Sequence, residues 1–224
     1  MHATIIPEWA IAVRKRRGVD ANAINLAPTR FAHVIIDMQN GFMAPDGVVP
    51  VPMNDAILPS LNRLCAATRH AGGVNIFVRF TYDPAWTSYY GRFAEDRQEA
   101  FRDAFTPGAP QHRLIPGLDV QDGDLILDKT RFSSLTPGTC DLESVTRLRG
   151  IDTLIISGCT SNCCCESTAR DALQMNYKVI FVQDATATLS DETHNGAVAN
   201  LFGVFSCDVC TTDEVIERMR RAKS

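Results

Sequence analysis

No run of apolar residues in this 224-residue chain reaches the ~18 that a membrane-crossing helix needs, so a membrane partner is not expected. Basic tracts are just as scarce. "RKRR" at Arg14–Arg17 is short and reads as a solvated turn, and the net charge of −4 gives nucleic acid nothing to hold. No internal repeat or low-complexity linker divides the chain, which suits one sizeable domain. The start, "MHATIIPEWAIAVRKRRG", places its charges after a short apolar patch, the reverse of a signal peptide. A cytoplasmic location is the expectation.

Hydrophobic residues make up 45% of the chain, enough to bury a core without staples. The eight cysteines then read as free thiols of a reducing compartment rather than as disulfides.

Residues 1–30 look like an irregular N-terminal extension with one amphipathic piece around Pro7–Arg16. Residues 31–224 read as a single domain. "HVIID" (His33–Asp37) is an apolar run ending in an acid, as a buried parallel strand would be. Further strands are expected at Val74–Phe80, Asp124–Lys129, Thr153–Gly158, Lys178–Asp184 and, briefly, Val204–Ser206. Helical patterns fall between them, from Asn54 to Ala71, near Ala94–Ala104, about Asp141–Arg149, through Met175, about Asp191–Leu201 and after "TTDEV" (Thr211–Val215). This alternation predicts an α/β fold: a six-stranded, mostly parallel sheet with helices on both faces, in the Rossmann-like three-layer manner. Right-handed crossovers favour the strand order 3-2-1-4-5-6.

Ligands of such sheets bind beyond the carboxyl ends of the strands. Three different groups converge there: the carboxylate of Asp37, the ammonium of Lys129, and the thiols of "SGCTSNCCCESTARDA" (Ser157–Ala172). Each alone is unremarkable; their meeting on one edge is not. In the helix that follows, Cys165 shares the buried stripe with Ala169 and Ala172. Cys164 is rotated by about 100° from it, in a first turn where unpaired N–H groups, helped by a nearby lysine, favour thiolate.

"VIIDMQNGF", "LDKTRFSSL" and "GCTSNCCCESTARDA" together resemble the isochorismatase-like cysteine hydrolase superfamily over residues 30 to 215. The nearest likeness is to its ureidoacrylate amidohydrolase-like branch, where the pattern is G-x-x-T-N-x-C-x-E-S-T-x-R-D. Ser161 stands here for the usual Thr. The resemblance implies the isochorismatase-like fold and a catalytic triad of Asp37, Lys129 and Cys164. It implies an oxyanion hole from the backbone N–H groups of Thr160 and Cys164, and a cis peptide between Cys159 and Thr160. Cys163 and Cys165 then replace common apolar residues as packing. The implied reaction is hydrolysis of a C–N bond in a small amide, ureide or carbamoyl compound, ureidoacrylate by branch, with no cofactor and no metal. A homo-oligomer, dimer or tetramer, is also implied, and Trp9 and the Trp86–Tyr90 loop are candidates for its interface.

Substrate-facing candidates are Phe42, Trp86, Tyr89 and Phe132, with Tyr90 beside them; Arg79 or Arg131 could clamp a carboxylate. Three other readings stay open. A metal-dependent nicotinamidase would need an Asp-x-His ligand set after the second strand, where "FTYDPAWTSYYGRF" has no His, while His70 and His112 read as solvent-facing. A true isochorismatase needs no nucleophilic cysteine. A cysteine-rich metal or redox protein could use "CDVC" (Cys207–Cys210) with the triple cysteine, but no second pair completes a tetrahedral site.

Overall fold

The structure, a computed structural model, describes residues 1–19, 24–27, 30–51 and 54–223. Six strands form one sheet: β1 (Phe31–Ile36), β2 (Val74–Phe80), β3 (Leu125–Lys129), β4 (Thr153–Cys159), β5 (Lys178–Ala187) and β6 (Asp208–Cys210). Their order is β3-β2-β1-β4-β5-β6 and every neighbouring pair is parallel. This is the expected topology.

The helices are α1 (Glu8–Arg16), α2 (Asn40–Met43), α3 (Asn54–His70), α4 (Thr87–Tyr90), α5 (Glu95–Phe105), α6 (Leu142–Leu148), α7 (Glu166–Gln174), α8 (Asp191–Ala199) and α9 (Thr212–Lys223). The sheet's side chains alternate between two cores, as the pleat requires. Ala32, Val34, Ile36, Ile76 and Val78 meet Leu142 of α6, Ala169 and Ala172 of α7, and Val198 of α8. Phe31, Ile35, Phe77 and Ile155 meet Ile57, Leu61 and Leu64 of α3 and Val215 and Met219 of α9. A third, aromatic cluster comes from the β2–β3 connection: Phe80, Tyr90, Phe101 and Phe105, with Phe42, Trp86, Tyr89 and Phe93 packed on them.

One glycine sets the geometry of the site. Gly158 pairs with Ile36, and a Cβ there would stand 2.1 Å from the Ile36 carbonyl oxygen. Its φ of +104° lies where side chains are disfavoured. This close approach draws the ends of the two strands together, Asp37 just past β1 and Thr160 just past β4.

Four expectations need correction. The sixth strand is Asp208–Cys210, not Val204–Ser206; α8 runs on through a wide π turn at Asn200–Val204, and Ser206 turns the chain with φ +59° before pairing begins. "RKRR" is not wholly solvated. Arg14 is buried: Nη2 pairs with Asp208 at 3.1 Å, Nη1 donates to the Cys207 carbonyl at 2.6 Å, and the guanidinium lies over Phe202. The buried carboxylate of Asp208 demands such a partner, and so α1 is tied to the end of the sheet. His112 is buried as well, with Nε2 2.8 Å from the Thr81 hydroxyl. The Trp86–Tyr90 loop packs inward on the aromatic cluster, so it leaves no large apolar face; Met1, Ile5, Trp9 and Ile11 are the exposed ones at the N-terminal end.

Candidate active site

Asp37 is the first residue past β1 and has a φ of 55°, the left-handed region that costs a side chain energy. Its N–H donates to the Val78 carbonyl at 2.8 Å, and its own carbonyl accepts from Gln39 N at 2.8 Å and from the Cys159 thiol at 3.2 Å. Both neighbouring strands thus hold the turn, which leaves the carboxylate fully buried.

Lys129, the last residue of β3 and 0% exposed, supplies the counter-charge. An ammonium has three protons, and Nζ has three acceptors around it: Asp37 Oδ2 at 2.9 Å, Cys164 Sγ at 3.4 Å and the Arg131 carbonyl at 3.1 Å. The face of the Phe80 ring lies 4.9 Å away. Burial alone would lower the lysine, but Asp37 and Cys164 hold it above its ordinary value, so it stays charged.

Cys164 sits in a wide π turn, Ser161–Cys165, that leads into α7. The Thr160 carbonyl accepts from Cys163 N (3.2 Å) and Cys165 N (3.1 Å), one on each side of Cys164. The Cys164 carbonyl accepts from the Thr168 hydroxyl at 2.7 Å, which in turn accepts from Ser134 N at 3.0 Å. The peptide bond between Cys159 and Thr160 is cis. Cys165 points into the core, as its position on the stripe predicts.

The thiol itself differs from expectation. Contact with the Cys163 sulfur, burial and the Asp37 carboxylate together hold Cys164 well above the ordinary thiol value, against the pull of Lys129. Lys129 is shared with the Asp37 carboxylate, and its pull does not outweigh the other three influences. Burial is the largest influence on Asp37 and raises it; Lys129 and a hydrogen bond from Cys164 pull the other way.

Asp37 and Cys164 line a cavity of about 140 Å³, with Lys129 buried behind them. Phe42, Tyr89 and Phe132 line it, as the sequence suggested, and Thr160 is at its edge. Phe80, Val49, Phe101 and Cys163 line it too and were missed. Phe80 ends β2 and so obeyed the strand-end rule used for Asp37. Cys163, read as packing, faces the cavity. Val49 and Phe101 carry no local signal.

Three other candidates lie elsewhere. Arg79 is engaged bidentately by Asp128 at 2.8 and 3.0 Å. Arg131 Nη1 pairs with Asp83 at 2.8 Å, and its guanidinium covers the Trp86 ring. Trp86 stands behind the wall, stacked on Tyr89 (4.4 Å) and edge-on to Phe132 (4.9 Å), where it lines a neighbouring groove with Arg131. Cys207 and Cys210 belong to opposite cores of the sheet, so the "CDVC" thiols do not converge. Among the described residues, no three His, Cys, Asp or Glu side chains are grouped to hold a metal ion.

The sequence model of the Isochorismatase domain matches residues 31–214. The chain belongs to the isochorismatase family. Like other proteins of the isochorismatase family, it is a hydrolase. An uncharacterised family member from Bacillus subtilis, YwoC, is 31% identical over 199 residues, covering 89% of this chain and 99% of that protein. The ureidoacrylate amidohydrolase RutB of Pseudomonas syringae pv. syringae is 30% identical over 212 residues, covering 84% and 86%. A cysteine hydrolase of known structure from Pseudomonas syringae pv. phaseolicola superposes with a TM-score of 0.78 at 27% identity, covering 91% and 97%.

Proposed function

We propose that this isochorismatase-family chain is a cysteine-dependent amidohydrolase that cleaves the C–N bond of a small amide, ureide or carbamoyl compound. One observation carries the reading: a single buried ammonium touches both a carboxylate and a thiol that line a small, largely apolar pocket. Asp37, which shares the Lys129 ammonium with Cys164 at 2.9 and 3.4 Å, takes the thiol proton as the sulfur attacks the carbonyl carbon. The S–C bond forms and the carbonyl electrons move to oxygen. Backbone N–H groups of Thr160 and Cys164 receive that oxyanion. Asp37 returns the proton to the departing nitrogen, the C–N bond breaks, and a thioester or thiocarbamate remains. A water deprotonated by Asp37 then releases the acid and restores the thiol. A raised Cys164 fits this sequence, because a resting thiol needs a base at the moment of attack.

The cavity limits the substrate. About 140 Å³ walled mainly by aromatic rings is close to the ~150 Å³ that holds a benzene ring in an apolar protein cavity. The geometry therefore favours an uncharged amide or ureide with one small ring or a short carbon chain. Ureidoacrylate is the second reading, favoured by the relatives named for it. Its carboxylate would have to recruit Arg131 past Phe132 at the cost of the Asp83 pair.

The test is a panel of neutral and anionic amides and ureides assayed for ammonia release, with mass spectrometry of acid-quenched enzyme. Turnover of a panel member with an adduct on Cys164, and none in Cys164→Ala, is the expected result. Cys163→Ala should keep most of the activity. Turnover by Cys164→Ala would overturn the reading.

A further inference from the structure

The family match begins at residue 31, yet the first residues of the chain reach the turn that carries Cys164. Ile5 N donates to Asn195 Oδ1 at 2.7 Å, and Asn195 Nδ2 donates to the Ala3 carbonyl at 3.0 Å. These bonds lay residues 2–5 along the start of α8. His2 is thereby buried between α8 and the end of β5. Thr188 N donates to His2 Nε2 at 3.0 Å, so the ring proton is on Nδ1, which donates to Asp191 Oδ1 at 2.7 Å. With both nitrogens committed, the orientation of the ring is fixed.

The His2 ring then fixes a second one. His194 stacks on it with centroids 4.6 Å apart and an interplanar angle of 16°. His194 is 0% exposed, and its two nitrogens each meet a hydroxyl: Nδ1 the Ser161 Oγ at 2.9 Å, Nε2 the Thr4 Oγ1 at 3.3 Å. Ser161 is itself fully buried and opens the π turn of Cys164, one residue after Thr160. A parallel tie runs from the Thr188 hydroxyl to Asn162 Oδ1 at 2.6 Å.

We propose that His2 and His194 form a clamp that positions the Ser161–Cys165 turn, so that the N-terminal segment is a working part of the active site. It rests on the reading of Cys164 as nucleophile. Neither imidazole touches the pocket; both act through Ser161, and are positioning residues. A π turn has wider hydrogen-bond spacing than an α turn and is held by what packs on it. Here the buried Ser161 hydroxyl has an imidazole partner that cannot rotate, because one face of that ring is stacked and its far nitrogen is bonded. Releasing Ser161 lets the backbone N–H groups of Thr160 and Cys164 drift from the oxyanion, and a misplacement of this kind acts on the chemical step more than on ground-state binding.

The experiment compares full-length variants using a substrate identified by the panel and iodoacetamide as a probe of Cys164. His194→Ala is expected to lower kcat about tenfold with KM within about twofold, the effect of one buried hydrogen bond. Alkylation of Cys164 should slow in parallel. His194→Asn can restore a polar atom near the Nδ1 position toward Ser161 and should stay within about threefold of the parent. His2→Ala should also lower kcat, whereas His2→Gln, which can donate to Asp191 and accept from Thr188 N, should recover most of it. If His194→Ala fails to fold, the His2 pair, at the edge of the molecule, decides the matter alone. The clamp is overturned if His2→Ala keeps kcat and alkylation rate within about twofold of the parent. It is also overturned if the losses appear only in KM, or if His194→Asn loses as much as His194→Ala. Turnover by Cys164→Ala would instead sink the nucleophile assignment, a separate result.

Discussion

Replacing Lys129 by methionine keeps the stem and deletes the charge. Asp37 then has no cation beside a carboxylate that is 1% exposed. Removing one partner of a buried ion pair costs about 3–5 kcal/mol. A carboxyl can escape most of that cost by taking up a proton, so losing the ammonium pushes its pKa further up. Burial already holds Asp37 above its usual value while Lys129 pulls it down, so the substitution adds to an existing upward push. The base must be deprotonated to work. The acid limb of kcat/KM is therefore expected to move to higher pH, with neutral-pH activity down ~100-fold or more, the rate equivalent of about 3 kcal/mol, and partly recovered in alkali. Stability has a matching sign. A carboxyl raised in the folded state favours folding at low pH and loses that contribution as pH rises through its folded value, so the variant's melting deficit should be larger at pH 8 than at pH 5. Full pH–rate profiles and melts of both proteins provide the check. An acid limb that stays within about half a unit, with less than about a tenfold loss of kcat/KM, would refute the electrostatic coupling of Lys129 to Asp37.

Asp37→Asn should abolish turnover, yet speed iodoacetamide alkylation of Cys164 at neutral pH. The carboxylate that raises the thiol is gone, and Lys129 is left with sulfur as its anionic partner; slower alkylation would contradict this. Gly158→Ala should cost at least ~3 kcal/mol in urea unfolding, because its Cβ would be 2.1 Å from the Ile36 carbonyl oxygen at a positive φ; a neutral result would mean that the two strand ends can separate freely. Acid should destabilise the fold through His33, buried in the middle of β1 with Nε2 2.7 Å from Ser157 Oγ and pushed down to about 3, mainly by burial. The unfolded chain takes up that proton near pH 6.5, so this contribution is complete above that value and is lost as pH falls toward 3, by roughly 2 kcal/mol at pH 5. Thermal melts between pH 7.5 and 5 measure it, and a melting temperature unchanged over that range would exclude it.

The sheet, and the meeting of Asp37, Lys129 and Cys164 at its edge, were legible because both follow from local rules. Buried parallel strands are unbroken apolar runs, and the residue after each run is placed by topology at the ligand-binding edge; Asp37 and Lys129 needed nothing more. The helix stripe separated Cys164 from Cys165 in the same way. What failed depended on contacts distant in sequence. Arg14 looked solvated until Asp208, 194 residues on, claimed it. For Arg79 and Arg131 a substrate clamp and a structural ion pair were both open, and the sequence could not name the partners, Asp128 and Asp83. The raised Cys164 thiol follows from the neighbouring Cys163 sulfur, from burial and from the Asp37 carboxylate, none of which helix-dipole reasoning contains. Residues 2–5 carry no periodicity at all, so their hold on α8 and the Cys164 turn is visible only in three dimensions.

Charge conservation joins the triad to its apolar pocket. At rest the floor holds one carboxylate, one ammonium and a neutral thiol, a net charge of zero. In the proposed attack the carboxylate would become an acid and the thiol sulfur would form an S–C bond, while the new negative charge would sit on the substrate oxygen. The net charge is again zero. A desolvated pocket walled by Phe42, Phe80, Phe101 and Phe132 would penalise any step that created or imported an unpaired charge. With an uncharged substrate no step does so. A substrate bearing its own carboxylate brings one more negative charge than Lys129 can balance, and the Arg131 guanidinium, outside the wall, is already paired with Asp83. The aromatic lining, the shared lysine and the neutral resting thiol thus impose the same requirement, and it falls on the charge of the substrate rather than on the position of its scissile bond.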